Sequence, residues 1–364
     1  MKKQIKNIAV LTSGGDCPGL NSALKAVVNR AHYEYKWKVY GILNSTEGFF
    51  HEQPKYKILK PKDFSFYETR IAGSLLGSSI SMVSPFDHKV PDGSKGMLHA
   101  GPKDLTPLFK KAIDDLEIDA LIVIGGDGSM GIVYHLCKMF DLPLIGIPKT
   151  IDNDTPLTET SIGYFSAVTV CTHALDSLIT TAYSHKRWMI LEVMGRHAGH
   201  IAIKAGIAGA ADAIIIPEIK WSFKGIKNKI LEVQKEEERE YGIVVIAEGA
   251  CISNNEFTEE AGSISKQLAK KLSENKINAR DTVLGHIQRG ATPDAYDRFL
   301  ATSFGVRAVD ALAKGKKNQM MGYSKSAFVE FDIVDVVKEK TGNVKMNSDT
   351  IKTAQRMRIY IGEC

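Results

Sequence analysis

The chain predicts two doubly wound α/β domains with mostly parallel sheets. Short apolar runs recur along it, each ending in glycine and polar residues, and amphipathic stretches separate them. One such run, Ala120-Leu121-Ile122-Val123-Ile124, is continuously apolar, as a strand covered on both faces requires. The length of 364 residues is enough for two cores of roughly 150–200 residues each. No sequence repeat of fixed period competes with this reading.

Composition narrows the class. At 44% hydrophobic and 24% charged residues, the chain has the balance of a soluble globular protein. The 31 glycines fall largely at the ends of apolar runs, so they are positional. A net charge of +5 suits an enzyme for anionic substrates without requiring one. No basic arm or aromatic-interleaved basic patch points to nucleic acid. The five cysteines, Cys17, Cys137, Cys171, Cys251 and Cys364, are scattered and odd in number, which predicts a reducing cytoplasm and no disulfide framework. The opening Met-Lys-Lys-Gln has no apolar h-region behind it, and no run of ~18 apolar residues occurs, so secretion and membrane spanning are not expected.

In chain order, Ile8–Leu11 is the first apolar strand. It runs into Thr12-Ser13-Gly14-Gly15-Asp16-Cys17-Pro18-Gly19, and a helical pattern opens at Asn21. Strand, glycine turn and helix present backbone N–H groups to phosphate, although a tight turn uses the same glycines for its backbone angles. Lys38–Leu43 reads as a second strand. Ser74–Ser84 is polar and contains glycine. Residues 86–103 carry Asp, Lys, Pro and Gly without periodicity and read as an exposed insertion. Leu105–Leu116 is amphipathic and helical. The run Ala120–Ile124 then delivers Gly125-Gly126-Asp127-Gly128-Ser129. Its glycines admit close approach of a polyphosphate, and Asp127 among them suits magnesium.

Ile145–Ile147 is a buried strand followed by Lys149, Thr150, Asp152, Asn153 and Asp154, polar groups at a strand carboxyl end, where open α/β sheets bind ligands. A helix is expected over Ser166–Thr181. The strand Trp188–Val193 ends at Met194-Gly195-Arg196-His197-Ala198-Gly199-His200, and the two histidines lack a further metal ligand nearby in sequence. Ala213–Ile216 and Ile243–Ile246 are further buried strands, the second leading to Glu248. The charged run Lys235–Glu240 reads as a solvated surface. Arg280 to Gly290 sets two arginines and a histidine around one short strand.

Taken together, two glycine turns suit phosphate, Asp127 and Asp154 suit magnesium, and Asp152 is a candidate base. Arg187, Arg196, Arg280 and Arg289 suit a second, singly phosphorylated ligand, because guanidinium binds phosphate oxygens bidentately. These are the parts of phosphoryl transfer to an alcohol.

At these positions the chain resembles the 6-phosphofructokinases from about Ile5 to Lys314. The blocks that carry the resemblance are Leu-Thr-Ser-Gly-Gly-Asp at 11–16, Gly-Gly-Asp-Gly-Ser at 125–129, Thr-Ile-Asp-Asn-Asp at 150–154, Ser-His-Lys-Arg at 184–187, Met-Gly-Arg at 194–196 and Gly-His-Ile-Gln-Arg-Gly at 285–290. Gly-Gly-Asp-Gly alone is shared with NAD and lipid kinases, whereas the third and last blocks together are specific. The resemblance implies a donor domain of residues 1–163 and 288–338, a fructose 6-phosphate domain of residues 164–287 and 339–364, and an active site at the strand carboxyl ends between them.

It also implies roles. Asp152 is the base at the sugar 1-hydroxyl, Thr150 holds the reacting groups, and Lys149 stabilises the transferring phosphoryl group. Gly15, Gly126, Asp127, Gly128 and Ser129 line the donor site, and Asp127 with Asp154 organises Mg2+. Thr150, Asp152, Met194, Gly195, Arg196, Glu248, His286 and Arg289 hold fructose 6-phosphate. Arg187 and Arg280 reach the sugar 6-phosphate of a neighbouring subunit, which implies a homodimer or homotetramer of a cytoplasmic, glycolytic enzyme.

Donor choice is mixed at the motif level. Pyrophosphate-dependent relatives carry Asp at the position of Gly128 and Lys at the position of Lys149, while compact bacterial ATP enzymes carry Gly at both. Exclusion of the nucleotide comes from the acid, so Gly128 favours ATP, and Lys149 keeps pyrophosphate as the alternative. Two departures stand out. Ile80 falls where the family has a phosphate-binding Arg, which keeps a catalytically weak regulatory subunit as a further alternative. Asn29, Ile179 and Glu237 replace effector-site cations, so ADP activation and phosphoenolpyruvate inhibition of that kind are not expected.

Overall fold

The computed structural model describes residues 5–79, 84–87, 89–91, 97–98, 101, 103–254, 256–339 and 342–363. The chain divides into two compact units: Met1–Ile151, Thr155–Phe165 and Arg289–Gly342 form unit 1, and Asp152–Asp154, Ser166–Gln288 and Asn343–Cys364 form unit 2.

Unit 1 opens with β1 (Asn7–Thr12), α1 (Leu20–Tyr33), β2 (Lys38–Ile42) and β3 (Tyr56–Leu59). There follow the short pair β4 (Val90–Pro91) and β5 (Met97–Leu98), then α2 (Thr106–Asp115), β6 (Ala120–Gly125), α3 (Asp127–Met139) and β7 (Leu144–Pro148). Helix α4 (Tyr164–His185) carries the chain into unit 2, with β8 (Trp188–Val193), α5 (His200–Ala208), β9 (Ala213–Ile215), α6 (Phe223–Glu236), β10 (Gly242–Ala247), α7 (Ile264–Glu274) and β11 (Ala279–Val283). Unit 1 resumes with α8 (Ala295–Ala313), β12 (Gln319–Ser324), β13 (Ala327–Asp332) and α9 (Ile333–Lys338), and α10 (Asp349–Arg356) closes unit 2.

The sheet of unit 1 has seven strands in the order β13-β12-β7-β6-β1-β2-β3. Its interior pairs are parallel, and both edge pairs, β2–β3 and β12–β13, are antiparallel. Strands β6 and β7 are buried at every residue, which accounts for their unbroken apolar runs. From β1 the chain moves outward to β2 on one side and returns to β6 on the other, so strand order reverses between β1 and β6. Open α/β sheets bind ligands outside the carboxyl ends of the strands at such a reversal.

Unit 2 has a four-stranded, wholly parallel sheet in the order β11-β8-β10-β9. Here the order reverses beside β8, between β11 and the β10–β9 side. The C-terminal segment adds to the far edge: Ile214 N–H donates to Tyr360 O at 2.8 Å and Tyr360 N–H to Asp212 O at 3.0 Å. Each unit has its own apolar core, one around Leu121, Val123, Val133 and Phe109, the other around Trp188, Ile246, Trp221 and Leu268.

Helix ends follow local chemistry. Ser222, Asp294 and Ser348 cap α6, α8 and α10 by accepting a backbone N–H three residues on. Helices α1 and α8 approach so closely that a Cβ on Gly305 would lie 2.7 Å from Ala23 O, so glycine is required there.

Three expectations need correction. The helix expected over Ser166–Thr181 extends at both ends to Tyr164 and His185. The insertion read as exposed over 86–103 buries Phe86, and it contains the β4–β5 pair. The run Lys235–Glu240 is not all solvated surface, because Arg239 donates to Asp212 at 2.6 Å and to Glu237 at 2.8 Å and is only 22% exposed. Among the described residues no helix is long and apolar enough to cross a membrane.

Candidate active site

Unit 1 brings three strand ends together at its reversal point. After β1, Gly14 adopts φ +83°, a left-handed conformation that glycine takes without strain. The turn is stitched on both sides: Ser13 N–H donates to Ile124 O at 2.9 Å, Gly14 N–H to Ser79 O at 3.2 Å, and Ser78 Oγ to Gly14 O at 2.5 Å. Thr12 Oγ1 donates to Gly77 O at 2.6 Å and lies 2.7 Å from Ser74 Oγ, so the polar stretch that begins at Ser74 is a wall of this turn. Ile80, the position of the expected Arg, lies outside the described residues.

After β6, Gly126 takes extended angles and starts α3, with Asp127 as the first helical residue and 5% exposed. Gly128 and Ser129 complete the first turn, so the positive end of the helix dipole sits beside the β1 turn. A Cβ on Gly125 would lie 2.8 Å from Ser129 Cβ, so a larger residue there would push the helix away.

After β7 comes Lys149, 3% exposed, whose N–H donates to Gly125 O at 3.0 Å. Its Nζ donates to the carbonyl of Gly15. A Cβ on Gly14 would stand 3.3 Å from both Lys149 Nζ and Ser129 Oγ, which shows how closely the three strand ends converge. Thr150 N–H donates to Ile162 O at 3.2 Å, and Ser161 Oγ returns a bond to Thr150 O at 2.7 Å. Arg289, the first residue of the returning segment, lies against the same turn: a Cβ on Gly15 would be 2.6 Å from its Nη1. The Arg289 Nε is buried without a hydrogen-bond partner among the described residues, a donor suited to a ligand oxygen.

Unit 1 therefore gathers Gly14, Gly15, Gly126, Asp127, Gly128, Ser129, Lys149, Thr150 and Arg289. Behind them Cys17 is fully buried and donates its thiol to Ile162 O at 3.3 Å, and burial pushes that thiol well above its ordinary pKa. Asp152, Asn153 and Asp154 group with unit 2 and are half-buried. Asn153 turns the chain with φ +54°.

In unit 2, β8 ends at Val193; Met194 follows, and then Gly195 with φ +131°. Arg196 is exposed. The turn after β10 packs directly on this loop: Gly249 N–H donates to Gly195 O at 3.3 Å, and a Cβ on Gly249 would lie 1.9 Å from Arg196 O. Glu248 immediately precedes that contact. His286 follows β11 and is exposed, and Arg280 is exposed on β11 itself, donating to Ala279 O at 2.7 Å. Arg187 Nε is buried with no hydrogen-bond partner among the described residues. Glu237, at an expected effector position, is engaged by Arg239.

Two structural features around these loops escaped sequence reasoning. Gln288 lies inside a quoted motif, yet nothing in its neighbours signals a fully buried amide. Glu218 accepts the N–H of Gly199 at 3.0 Å and of Val344 at 2.9 Å, tying the loop after β8 to the C-terminal segment. Among the described residues no group of three or more His, Cys, Asp or Glu is arranged to hold a metal.

The fold and these sites define a two-unit α/β protein whose unit 1 gathers two glycine turns, the start of α3 and a buried lysine where strand order reverses. The family Phosphofructokinase matches residues 7–312. The chain belongs to the phosphofructokinase family. It is 39% identical to an ATP-dependent 6-phosphofructokinase of Trichormus variabilis, over 98% of this chain and 99% of the relative. It is 40% identical to ATP-dependent 6-phosphofructokinase 2 of Nostoc sp., again over 98% and 99%. The phosphofructokinase of Saccharomyces cerevisiae superposes with TM-score 0.76 at 27% identity, covering 97% of this chain, which spans 47% of that longer chain. A pyrophosphate-dependent phosphofructokinase of Marinobacter aquaeolei shares the fold, with TM-score 0.78 at 21% identity over 99% and 93% of the two chains.

Proposed function

We propose that this protein transfers the terminal phosphoryl group of ATP to the 1-hydroxyl of D-fructose 6-phosphate, giving fructose 1,6-bisphosphate and ADP. The observation that carries this reading is the convergence, at the reversal point of unit 1, of two glycine turns, the start of α3 and the buried ammonium of Lys149. Full-length relatives named as ATP-dependent enzymes support the donor.

In this reading unit 1 holds the donor, and unit 2 supplies most of the contacts to the sugar phosphate. Asp152 accepts the proton of the 1-hydroxyl as the oxygen attacks, and Thr150 orients the reacting groups. Gly15, Gly126, Gly128 and Ser129 supply backbone and hydroxyl donors to phosphate oxygens, and Lys149 offsets negative charge on the transferring group. Met194, Gly195, Arg196, Glu248, His286 and Arg289 hold fructose 6-phosphate. Arg187 and Arg280 serve the 6-phosphate of a neighbouring copy in a homodimer or homotetramer, and exposure of Arg280 on an edge strand supports that placement.

Asp127 and Asp154 are the residues that would hold Mg2+. The donor set fits: both are hard carboxylates, and magnesium takes one or two protein carboxylates and completes its shell with water and substrate phosphates. When bound, the ion would neutralise phosphate charge. The buried, reduced thiols of Cys17, Cys137 and Cys171 suit a cytoplasmic protein.

Lys149 favours one second reading, transfer from pyrophosphate. A coupled assay with fructose 6-phosphate and each donor decides between them. Turnover with ATP and much less with pyrophosphate is expected; the reverse preference defeats the donor assignment, and no turnover with either defeats the reaction.

A further inference from the structure

Gln288 is fully buried, and both ends of its side-chain amide are engaged. Its Oε1 accepts the backbone N–H of Met194 at 3.2 Å and the thiol of Cys171 at 3.2 Å. Its Nε2 donates to the carbonyl of Gly285 at 2.9 Å. The three partners belong to the loop after β8, the middle of α4 and the turn after β11, all within unit 2.

The parallel ladder between β8 and β11 ends where Glu192 pairs with Val283, with one further bond from Leu284 N–H to Glu192 O at 3.1 Å. Beyond that point the amide takes over. It accepts from one loop and donates to the other, as a backbone rung would. The orientation of the amide is fixed by chemistry: turned over, its NH2 would face the Met194 N–H, and its carbonyl would face the Gly285 carbonyl. Cys171 makes the same choice, since burial raises its thiol pKa to about 12 and keeps it a donor.

We propose that Gln288 is a positioning residue for the sugar phosphate. It holds the Met194–Arg196 loop in register with the Gly285–His286 turn, and Cys171 reinforces the orientation of its amide. The proposal rests on the fructose 6-phosphate reading of those two loops. It separates Gln288 from its neighbours in the motif, which serve by contact, whereas Gln288 serves by aligning two loops from behind.

The test uses the full-length protein. Gln288→Met keeps the length of the side chain and removes all three bonds. It is expected to raise KM for fructose 6-phosphate by about tenfold or more while KM for ATP changes by less than about twofold. Cys171→Ala is expected to move the same KM in the same direction by about threefold, and Cys171→Ser, whose hydroxyl still donates, to restore it. A merely structural role would not produce that split or that rescue. Amide hydrogen exchange followed by mass spectrometry supplies a readout free of turnover: Gln288→Met should speed exchange at Met194. Equal shifts in both KM values, no shift in either, or unchanged exchange at Met194 would overturn the proposal. Should Gln288→Met fail to fold, the Cys171 pair decides, absence of the Ser rescue counting against it. Turnover of fructose 6-phosphate by the unsubstituted protein is measured first and bears on the assigned reaction alone.

Discussion

Gly249→Ala perturbs the proposed sugar site through the backbone alone. The new Cβ would lie 1.9 Å from Arg196 O, 2.6 Å from Arg196 C and 2.9 Å from Arg196 Cα. Ordinary contact begins near 3.4 Å, so the two turns must separate by more than 1 Å. No rotamer change can relieve the clash, because the methyl group meets main chain. Overpacking of this kind costs about 1–3 kcal/mol. In a unit of this size that lowers the melting temperature by roughly 2–4 °C per kcal/mol.

The catalytic effect should exceed the stability effect. The loop that moves carries Met194, Gly195 and Arg196, and a shift of about 1 Å in positioning groups reduces rate by roughly 100-fold. We expect kcat/KM for fructose 6-phosphate to fall by about that factor while KM for ATP stays within about twofold. Gly262→Ala is the control. Its φ of +91° strains any side chain, but nothing lies within 4 Å of the added Cβ. It should lose about 1 kcal/mol of stability with kcat/KM unchanged. Steady-state kinetics and thermal unfolding of both variants settle the matter. A folded Gly249→Ala protein with kcat/KM near that of the parent would refute the reasoning.

Other outcomes follow from the same geometry. Asp152→Asn should lower kcat by about 10²–10⁴-fold with little change in either KM, as loss of a proton acceptor requires, and an unaltered kcat would remove Asp152 from the chemistry. Gly128→Asp should abolish useful ATP binding, raising KM for ATP by about 100-fold, because a carboxylate would face nucleotide phosphate; unchanged ATP kinetics would refute this. Cys171, with its pKa raised from 9.0 to about 12, contributes stability that is complete below pH 9.0 and is lost as pH rises toward 12. Its contribution should fall by about 1.4 kcal/mol per pH unit in that window, and denaturant titrations of parent and Cys171→Ser should show the parent losing stability faster.

Much of the fold was legible because buried parallel strands have no polar face. The runs at β6, β7 and β10 are apolar throughout and β8 departs only at the buried Glu192, so length and composition located them to within a residue or two. The edge strands of unit 1 were not legible for the same reason. Tyr56–Leu59 is exposed at three of its four residues, and Ala327–Asp332 mixes polar and apolar residues, so neither gives a core signal. Charge patterning misled at Arg239, because whether a charged run is solvated depends on Asp212, 27 residues earlier. Long-range partners also hid Gln288, whose bonds reach 94 and 117 residues back. The positions of the glycine turns and the acids at strand ends were legible, since their placement follows from local chain geometry.

Lys149 and Gly128 can now be separated. A buried ammonium is costly unless its donors are met. The Lys149 Nζ is held on the carbonyl of Gly15, which makes it part of the turn that any donor must approach. Such a lysine lends positive potential to ATP and to pyrophosphate alike, and Lys149→Met should weaken transfer from either. Gly128 differs because it occupies the second position of α3, at the positive end of the helix dipole. An aspartate there would be electrostatically tolerated by the helix, so Gly128→Asp should leave the protein folded and act on the ligand. The residue shared with pyrophosphate enzymes thus supports the turn, and discrimination between donors is expected to follow the absence of a carboxylate at Gly128.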